Sequence, residues 1–326
     1  MTQADDLVGR AQAALRAEAW AQAAELLAEA ISLGESAPLV HVALGQCLRR
    51  LERPAQATPC FKRALALDPD CAPAWVELAV ASERAGDLHE RERCLRQWLS
   101  IRVRRSAPPA PAGAAARAVP DTTPVCVDCR DYALAADALR RTLRQCRFER
   151  ALLFTDAEAS VPGVETLRIP RIASVGEYSR FMIKHLAPHV ETAFALIVQY
   201  DGYVLNGSRW SDEFLRYDYI GAPWGYGDGM AVGNGGFSLR SRKLLLALQD
   251  AEISPQHPED LAICRTYRPL LEARHGIRFA PPELAARFSF EGQPRRGPTF
   301  GFHGVDHLYY LFDMSEAQAD AYLPRK

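Results

Sequence analysis

The pattern of apolar and polar positions changes character once along the chain, near residue 106. Before that point small and apolar residues repeat every 34 residues, giving segments 4–37, 38–71 and 72–105. In that register Ala23, Ala57 and Arg91 share one position, Leu27, Phe61 and Leu95 the next, and Ala30, Ala64 and Trp98 a third. Residues 106–120 show no apolar periodicity. Their Pro- and Ala-rich composition predicts a semi-rigid tether, preceded by a solvated basic helix end at Arg102, Arg104 and Arg105.

From residue 124 the period switches repeatedly. Strands are expected at Val125–Cys129, Ala151–Phe154, Val164–Ile169 and Ala193–Tyr200. Helical spacing runs from Tyr132 to Cys146, from Glu177 to Leu186 and from about Glu259 to Arg274. Such alternation predicts an α/β domain over 121–326 with a mixed, mostly parallel sheet. Ligands of these sheets bind beyond the carboxyl ends of the strands, where Asp128, Asp156 and Asp201 fall.

The N-terminal residues carry a resemblance. Leu44-Gly45, Leu48, Ala57, Phe61, Ala64 and Pro69 in the middle copy resemble the tetratricopeptide repeat, as do Trp75, Leu78-Ala79 and Gly86-Asp87 in the third. The resemblance implies an all-α array over 1–105, two antiparallel helices per unit. Gly45, Ala57 and Ala64 allow close helix approach, and Leu27, Phe61 and Leu95 fill the space between units. Such an array either binds a protein partner or acceptor, or serves as a spacer or dimerisation arm.

Composition narrows the function. A formal charge of −1 argues against a global grip on nucleic acid or an anionic membrane. No apolar run is long enough to span a bilayer, and the acidic start Met1–Asp6 has no leader-like apolar core after it, so a cytoplasmic setting is expected. Cys126-x-x-Cys129 lacks a second pair at zinc-site spacing, and positions three apart on a strand face opposite ways, so ordinary packing is expected.

Four motifs carry candidate chemistry. Asp201 ends the most apolar strand, where a carboxylate either ligates a divalent cation or caps the strand with the help of Gly202. Gly233-Asn234-Gly235-Gly236 is either a tight turn or a loop that lets backbone and the Asn amide approach a sugar or phosphate; Trp224 lies just before it. Glu259 and Asp260 open a helix. There they suit the dipole or supply a general base, with Asp260 favoured and Glu259 orienting the acceptor or replacing it. His303, between Phe302 and Gly304, suits a metal or phosphate ligand in a tight turn, while His307 reads as structural.

The segment from about Pro124 to Phe312 resembles a bacterial glycosyltransferase-like domain family of unknown function. The residues that carry the likeness are Tyr219–Trp224, Val232–Arg240, Pro258–Asp260, Phe288–Glu291 and Gly301–Gly304. More widely it is similar to the GT-A fold of nucleotide-sugar transferases. That resemblance implies Asp201 and His303 as ligands of Mn2+ or Mg2+, and Asp260 as the base of an inverting transfer. One departure stands out: Gln199 occupies the place of the first acid of an Asp-x-Asp motif. Arg240, Lys184 and Arg295-Arg296 are the candidates for neutralising a diphosphate leaving group.

The expectation is a glycosyltransferase moving a sugar from a nucleotide-sugar donor to a protein or glycan acceptor, with the repeats recruiting the acceptor or a partner protein. The alternatives are a non-catalytic adaptor that binds sugar nucleotides or glycans, and a sugar-nucleotidyltransferase. The latter wants a Gly-rich basic loop after the first strand, which Cys129-Arg130-Asp131-Tyr132 does not supply.

Overall fold

In the computed structural model, residues 2–106, 116–292, 297–312, 314 and 318 are described. The chain forms two units that divide after Ser106. In the first, helices α1 (Gln3–Arg16), α2 (Trp20–Ser32), α3 (Pro38–Arg50), α4 (Pro54–Leu67), α5 (Ala72–Arg84) and α6 (Leu88–Arg105) make three antiparallel pairs. A capping box at Thr2 opens α1, and prolines in the first turns of α3, α4 and α5 suit positions whose N–H lacks an intrahelical partner. The turn inside each pair needs left-handed backbone, at Glu18 (φ 55°), Glu52 (φ 58°) and Gly86 (φ 75°), so the repeat is visible in the dihedrals as well.

Phe61 corrects one expectation. A Cβ on Gly45 would lie 2.4 Å from the Phe61 ring, so Phe61 packs inside its own helix pair rather than only between units. Contact between units is partly polar: Gln46 and Arg49 of α3 both donate to Glu77 of α5, each at 2.9 Å.

The second unit begins earlier than its composition indicates. Residues 107–115 of the expected tether lie outside the described residues, but β1 (Arg117–Ala118) already pairs in parallel with β3 (Cys146–Arg147). The main sheet has six strands in the order β5-β4-β2-β6-β8-β7. They are β2 (Thr122–Val127), β4 (Leu152–Thr155), β5 (Glu165–Arg168), β6 (Phe194–Ile197), β7 (Tyr219–Ile220) and β8 (Ser238–Ser241). The first four run parallel, while β8 is antiparallel to both neighbours, β6 and β7. Helix α7 (Tyr132–Gln145) lies in the crossover after β2. Helix α8 (Val175–Arg180), widened into a π-helical turn over Phe181–His185, lies in the crossover before β6. The chain leaves β2 for β4 and β5 on one side and returns as β6 on the other. The carboxyl ends of β2 and β6 therefore flank the switch point where such sheets open a crevice.

The apolar run of β6 is buried on both faces, as a central strand requires. On one face Val125, Leu152, Phe154 and Ile197 form a core cluster with Phe181, and Tyr219 joins a second cluster with Leu244, Ile263 and Leu271. Leu153, Leu196 and Leu239 are buried on the opposite face. After β8 come α9 (Arg242–Ala247), α10 (Glu259–Leu261), α11 (Arg268–His275), α12 (Pro282–Phe288) and α13 (Val305–Leu311). The single helix expected over 259–274 is broken. It widens to a π-helical segment at Ala262–Thr266, and Tyr267 separates that from α11, because Pro269 cannot donate to the preceding turn. Cys126 and Cys129 are buried free thiols.

Candidate functional site

The candidate site is assembled from three loops beyond the carboxyl end of β6. Immediately after that strand the chain doubles back. Gln199 N donates to Gly202 O at 3.1 Å and Gly202 N donates to Gln199 O at 3.0 Å. Gly304 N donates to Asp201 O at 2.9 Å, which draws the segment 301–304 alongside this turn. His303 N donates to Phe290 O at 3.0 Å, bringing Glu291 within reach of the imidazole. Glycine is needed at 202, because a Cβ there would stand 3.0 Å from both the His303 ring and Phe302 O.

His303 is the hub of this assembly. Its Nδ1 lies 2.8 Å from Glu291 Oε1 and 3.1 Å from Asn234 Nδ2. Its Nε2 lies 3.2 Å from Gln199 Oε1 and 3.4 Å from Asp201 Oδ1. Gln199 is anchored from behind, its Nε2 donating to Tyr178 Oη at 2.7 Å. Burial alone would lower the pKa of His303, but Asp201 and Glu291 outweigh it and raise it well above the usual value. Burial pushes Glu291 the other way from its partners. The hydrogen bond and charge of His303, together with Asn234, bring its carboxyl below the ordinary value.

The glycine loop is a scaffold for these groups. Asn234 is in the left-handed region (φ 68°) and buried, and its Oδ1 accepts from Gly236 N at 2.9 Å and Phe237 N at 3.2 Å. Its side chain thus holds the loop and faces His303, where the sequence suggested direct contact with sugar hydroxyls. Gly235 and Gly236 make room for protein groups: a Cβ on Gly236 would sit 2.0 Å from His303 Nε2, and one on Gly235 2.1 Å from Glu259 Oε1. Trp224 is half-buried, and its indole covers Gly233.

The adjacent acids Glu259 and Asp260 part company. Asp260 is half-buried. Its Oδ2 accepts from Gly235 N at 2.9 Å and its Oδ1 from Leu261 N at 2.8 Å, which fixes the carboxylate while each oxygen keeps a lone pair. Glu259 turns inward and pairs with Arg240, Oε1 to Nη2 3.1 Å, both side chains buried (7% and 0% exposed). Arg240 also donates from Nε to Ser238 Oγ at 3.1 Å and from Nη2 to Gly235 O at 3.3 Å. Burial opposes its charge, but Tyr219, Glu259 and Tyr178 hold it above the usual arginine range. This corrects two expectations. Neither Glu259 as acceptor ligand or base, nor Arg240 as a phosphate-facing cation, is available, because the two pair with each other inside the fold and both side chains are buried.

Lys184 is likewise placed elsewhere: its Nζ donates to Leu248 O at 2.6 Å and Asp250 O at 3.1 Å, clipping the end of α9. Arg295-Arg296 lie outside the described residues. Asp128 forms a turn, accepting from Arg130 N at 2.6 Å and Asp131 N at 2.8 Å. His307 is structural as expected, packed edge-on to Phe290 and accepting from Gly292 N at 3.3 Å.

Of the predicted site residues, the structure groups Asp201, His303, Asn234, Gly235, Gly236 and Asp260, and adds Gln199, Glu291 and Tyr178. Glu291 had a signal in Phe288-Ser289-Phe290-Glu291, and Gln199 had one in its spacing from Asp201. Among the described residues, no three His, Cys, Asp or Glu side chains are grouped to hold a metal ion. Acids and histidine alone therefore offer a two-donor edge, Asp201 Oδ1 and His303 Nε2, backed by Glu291 on Nδ1. A carboxylate behind the imidazole is the support that a metal-ligating histidine usually has.

Comparison with known families agrees with this division of the chain. The family described as "Protein of unknown function (DUF5672)" matches residues 163–303, a span that contains Gln199, Asp201, the glycine loop, Asp260, Glu291 and His303. The tetratricopeptide repeat family matches residues 38–71, the middle helix pair. The N-terminal unit is thus a tetratricopeptide-like helical array, and the C-terminal unit an α/β domain with a mixed, mostly parallel sheet. Similar solved structures include the Sgt2 tetratricopeptide domain from Aspergillus fumigatus, at 17% identity and a TM-score of 0.30 over 33% of this chain and 71% of that one. The first tetratricopeptide domain of Spaghetti (RPAP3), solved bound to an HSP90 peptide, gives 16%, 0.29, 30% and 79% on the same measures. The Arabidopsis OM64 tetratricopeptide domain gives 19%, 0.29, 30% and 81%. A search of curated proteins gives no match. No helix among the described residues is long and apolar enough to cross a membrane.

Proposed function

We propose that the C-terminal domain is a glycosyltransferase of GT-A type. It would move a sugar from a nucleotide-sugar donor to an acceptor hydroxyl with inversion, and the repeats would recruit a protein partner or acceptor in a cytoplasmic setting. One observation carries the reading: the bond from Gly235 N to Asp260 Oδ2 ties a base to the glycine loop that also braces His303 and Asp201 at the sheet's switch point. A general base and a cation-binding edge tied together by one loop are the two parts that displacement at an anomeric carbon requires.

In this reading Asp260 takes the proton of the acceptor hydroxyl as its oxygen bonds to the anomeric carbon and the bond to the diphosphate oxygen breaks. The Gly235 and Leu261 N–H groups keep the carboxylate pointed during that step. Asp201 and His303 would hold a divalent ion, Mn2+ or Mg2+, which when bound supplies positive charge toward the diphosphate. Glu291 fixes the His303 ring, and the Arg240–Glu259 pair holds the loop and α10 together. Hydrolysis of a panel of nucleotide sugars by wild type and Asp260→Asn tests the reading. Turnover by wild type with at least one donor, reduced at least a hundredfold in the variant, is expected.

A non-catalytic adaptor that binds sugar nucleotides or glycans is the second reading, favoured by Gln199 in place of an acid. It predicts binding without turnover. A sugar-nucleotidyltransferase draws less support, because the turn after β2 is closed by the Asp128 carboxylate.

A further inference from the structure

Two side-chain oxygens face one imidazole nitrogen beyond β6, a position where a cation would take the place of the ring proton. Gln199 Oε1 and Asp201 Oδ1 stand 3.2 Å and 3.4 Å from His303 Nε2. Glu291 Oε1 accepts from the other ring nitrogen, Nδ1, at 2.8 Å, so Nε2 is the nitrogen that faces the two oxygens. Ligand atoms at right angles around a small divalent cation lie about 3 Å apart, close to these separations. The Gln199 amide is not loose. Its Nε2 donates to Tyr178 Oη at 2.7 Å, and its backbone is locked to Gly202 in both directions, so its oxygen is aimed at the cluster.

We propose that Gln199 is a third, uncharged donor of this cation site, completing with Asp201 and His303 a face of two oxygens and one nitrogen. The inference rests on the transferase reading and deepens it. With one carboxylate in the face, charge attraction for a divalent ion is weak. The site therefore takes its ion together with a nucleoside diphosphate, whose phosphate oxygens supply the missing charge. A free ion binds poorly, and the nucleotide and the ion strengthen each other's binding reciprocally.

The test is Mn2+ titration of the full chain followed by electron paramagnetic resonance, alone and with UDP, GDP, ADP or CDP. Wild type is expected to bind Mn2+ at least about tenfold more tightly with its nucleotide than without. Gln199→Glu, which adds a charge at constant shape, should raise affinity for Mn2+ alone by about tenfold. Gln199→Leu should lower nucleotide-supported binding by at least about tenfold. Tyr178→Phe loses the same side-chain hydrogen bond but keeps the amide oxygen, and so serves as the structural control. Equal Mn2+ affinity in Gln199→Leu and wild type, or equal losses in Gln199→Leu and Tyr178→Phe, would overturn the proposal and leave the transferase reading intact. If wild type binds no Mn2+ under any condition, the proposal also fails. Donor hydrolysis that persists in EDTA would then preserve the transferase reading, whereas absence of nucleotide binding would remove both.

Discussion

Replacing Glu259 by alanine separates the two acids of the Pro258-Glu259-Asp260 motif more sharply than any other change. Among the described residues Arg240 is the largest fully buried side chain, and Glu259 is its one carboxylate partner within salt-bridge distance. Without Glu259 a guanidinium stays inside the fold with only Ser238 Oγ and Gly235 O as acceptors and the Tyr219 ring 5.5 Å away. Breaking a buried pair from one side costs about 3–5 kcal/mol, because the remaining charge is uncompensated. For a unit of this size each kcal/mol shifts the melting midpoint by about 2–4 °C, so a fall of about 6–20 °C follows. Differential scanning calorimetry of the full chain reads this directly. Glu259→Leu combined with Arg240→Met removes both charges and should recover much of the loss. Asp260→Asn keeps one acceptor oxygen and should cost only about 1 kcal/mol. A Glu259→Ala protein that melts within about 1 °C of wild type would refute the claim that this pair is a structural post.

Other consequences are as accessible. Gly45→Ala should destabilise the repeat unit by about 1–3 kcal/mol in urea unfolding, since its methyl meets the Phe61 ring; Gly45→Ala with Phe61→Leu should recover part of it, and no change in the single variant would contradict the packing. Asp250 is held below the ordinary carboxylate pKa by the Glu252 N–H, then His275 and Arg274. A folded-state pKa that is depressed stabilises above the unfolded value and is lost as pH falls through the folded one. The gap in urea midpoint between wild type and Asp250→Asn should therefore be constant above about pH 5 and narrow progressively below it, with narrowing still under way at about pH 3; a gap that stays constant into acid would argue against the triad. Cys146 is buried, which pushes its thiol up to about 12. It should resist iodoacetamide at about pH 8 in the native protein and react on unfolding, as mass spectrometry would register.

The repeat array was legible because its signal is periodic: one register of 34 residues fixes three helix pairs and even the left-handed turn at 18, 52 and 86. The sheet was legible strand by strand from apolar runs, and Phe237-Ser238-Leu239 reads as strand-like where β8 begins, but the two-residue β7 and the antiparallel direction of β8 were not legible among the glycines and turns. At the candidate site the motifs gave the neighbourhood and not the directions of the side chains. Glu259 and Asp260 are adjacent in sequence, yet α10 turns one inward to Arg240 and leaves the other at the loop. Arg240 alternates along β8, and a buried arginine cannot be told from a ligand-facing one until the partner carboxylate is located. Lys184 sits on a helix, and only the fold reveals that the end of α9 lies within its reach. Gln199 looked like a defect in an acidic motif; the turn back through Gly202 makes it a neighbour of His303.

The most direct test of the central claim measures sugar release and transfer by the purified full chain across a panel of nucleotide sugars, with Mn2+ or Mg2+ supplied and with Asp260→Asn in parallel. The account predicts that wild type turns over at least one donor, and that Asp260→Asn still binds the corresponding nucleoside diphosphate but loses turnover at least a hundredfold. Wild-type protein that neither binds any nucleotide nor hydrolyses any donor would contradict it.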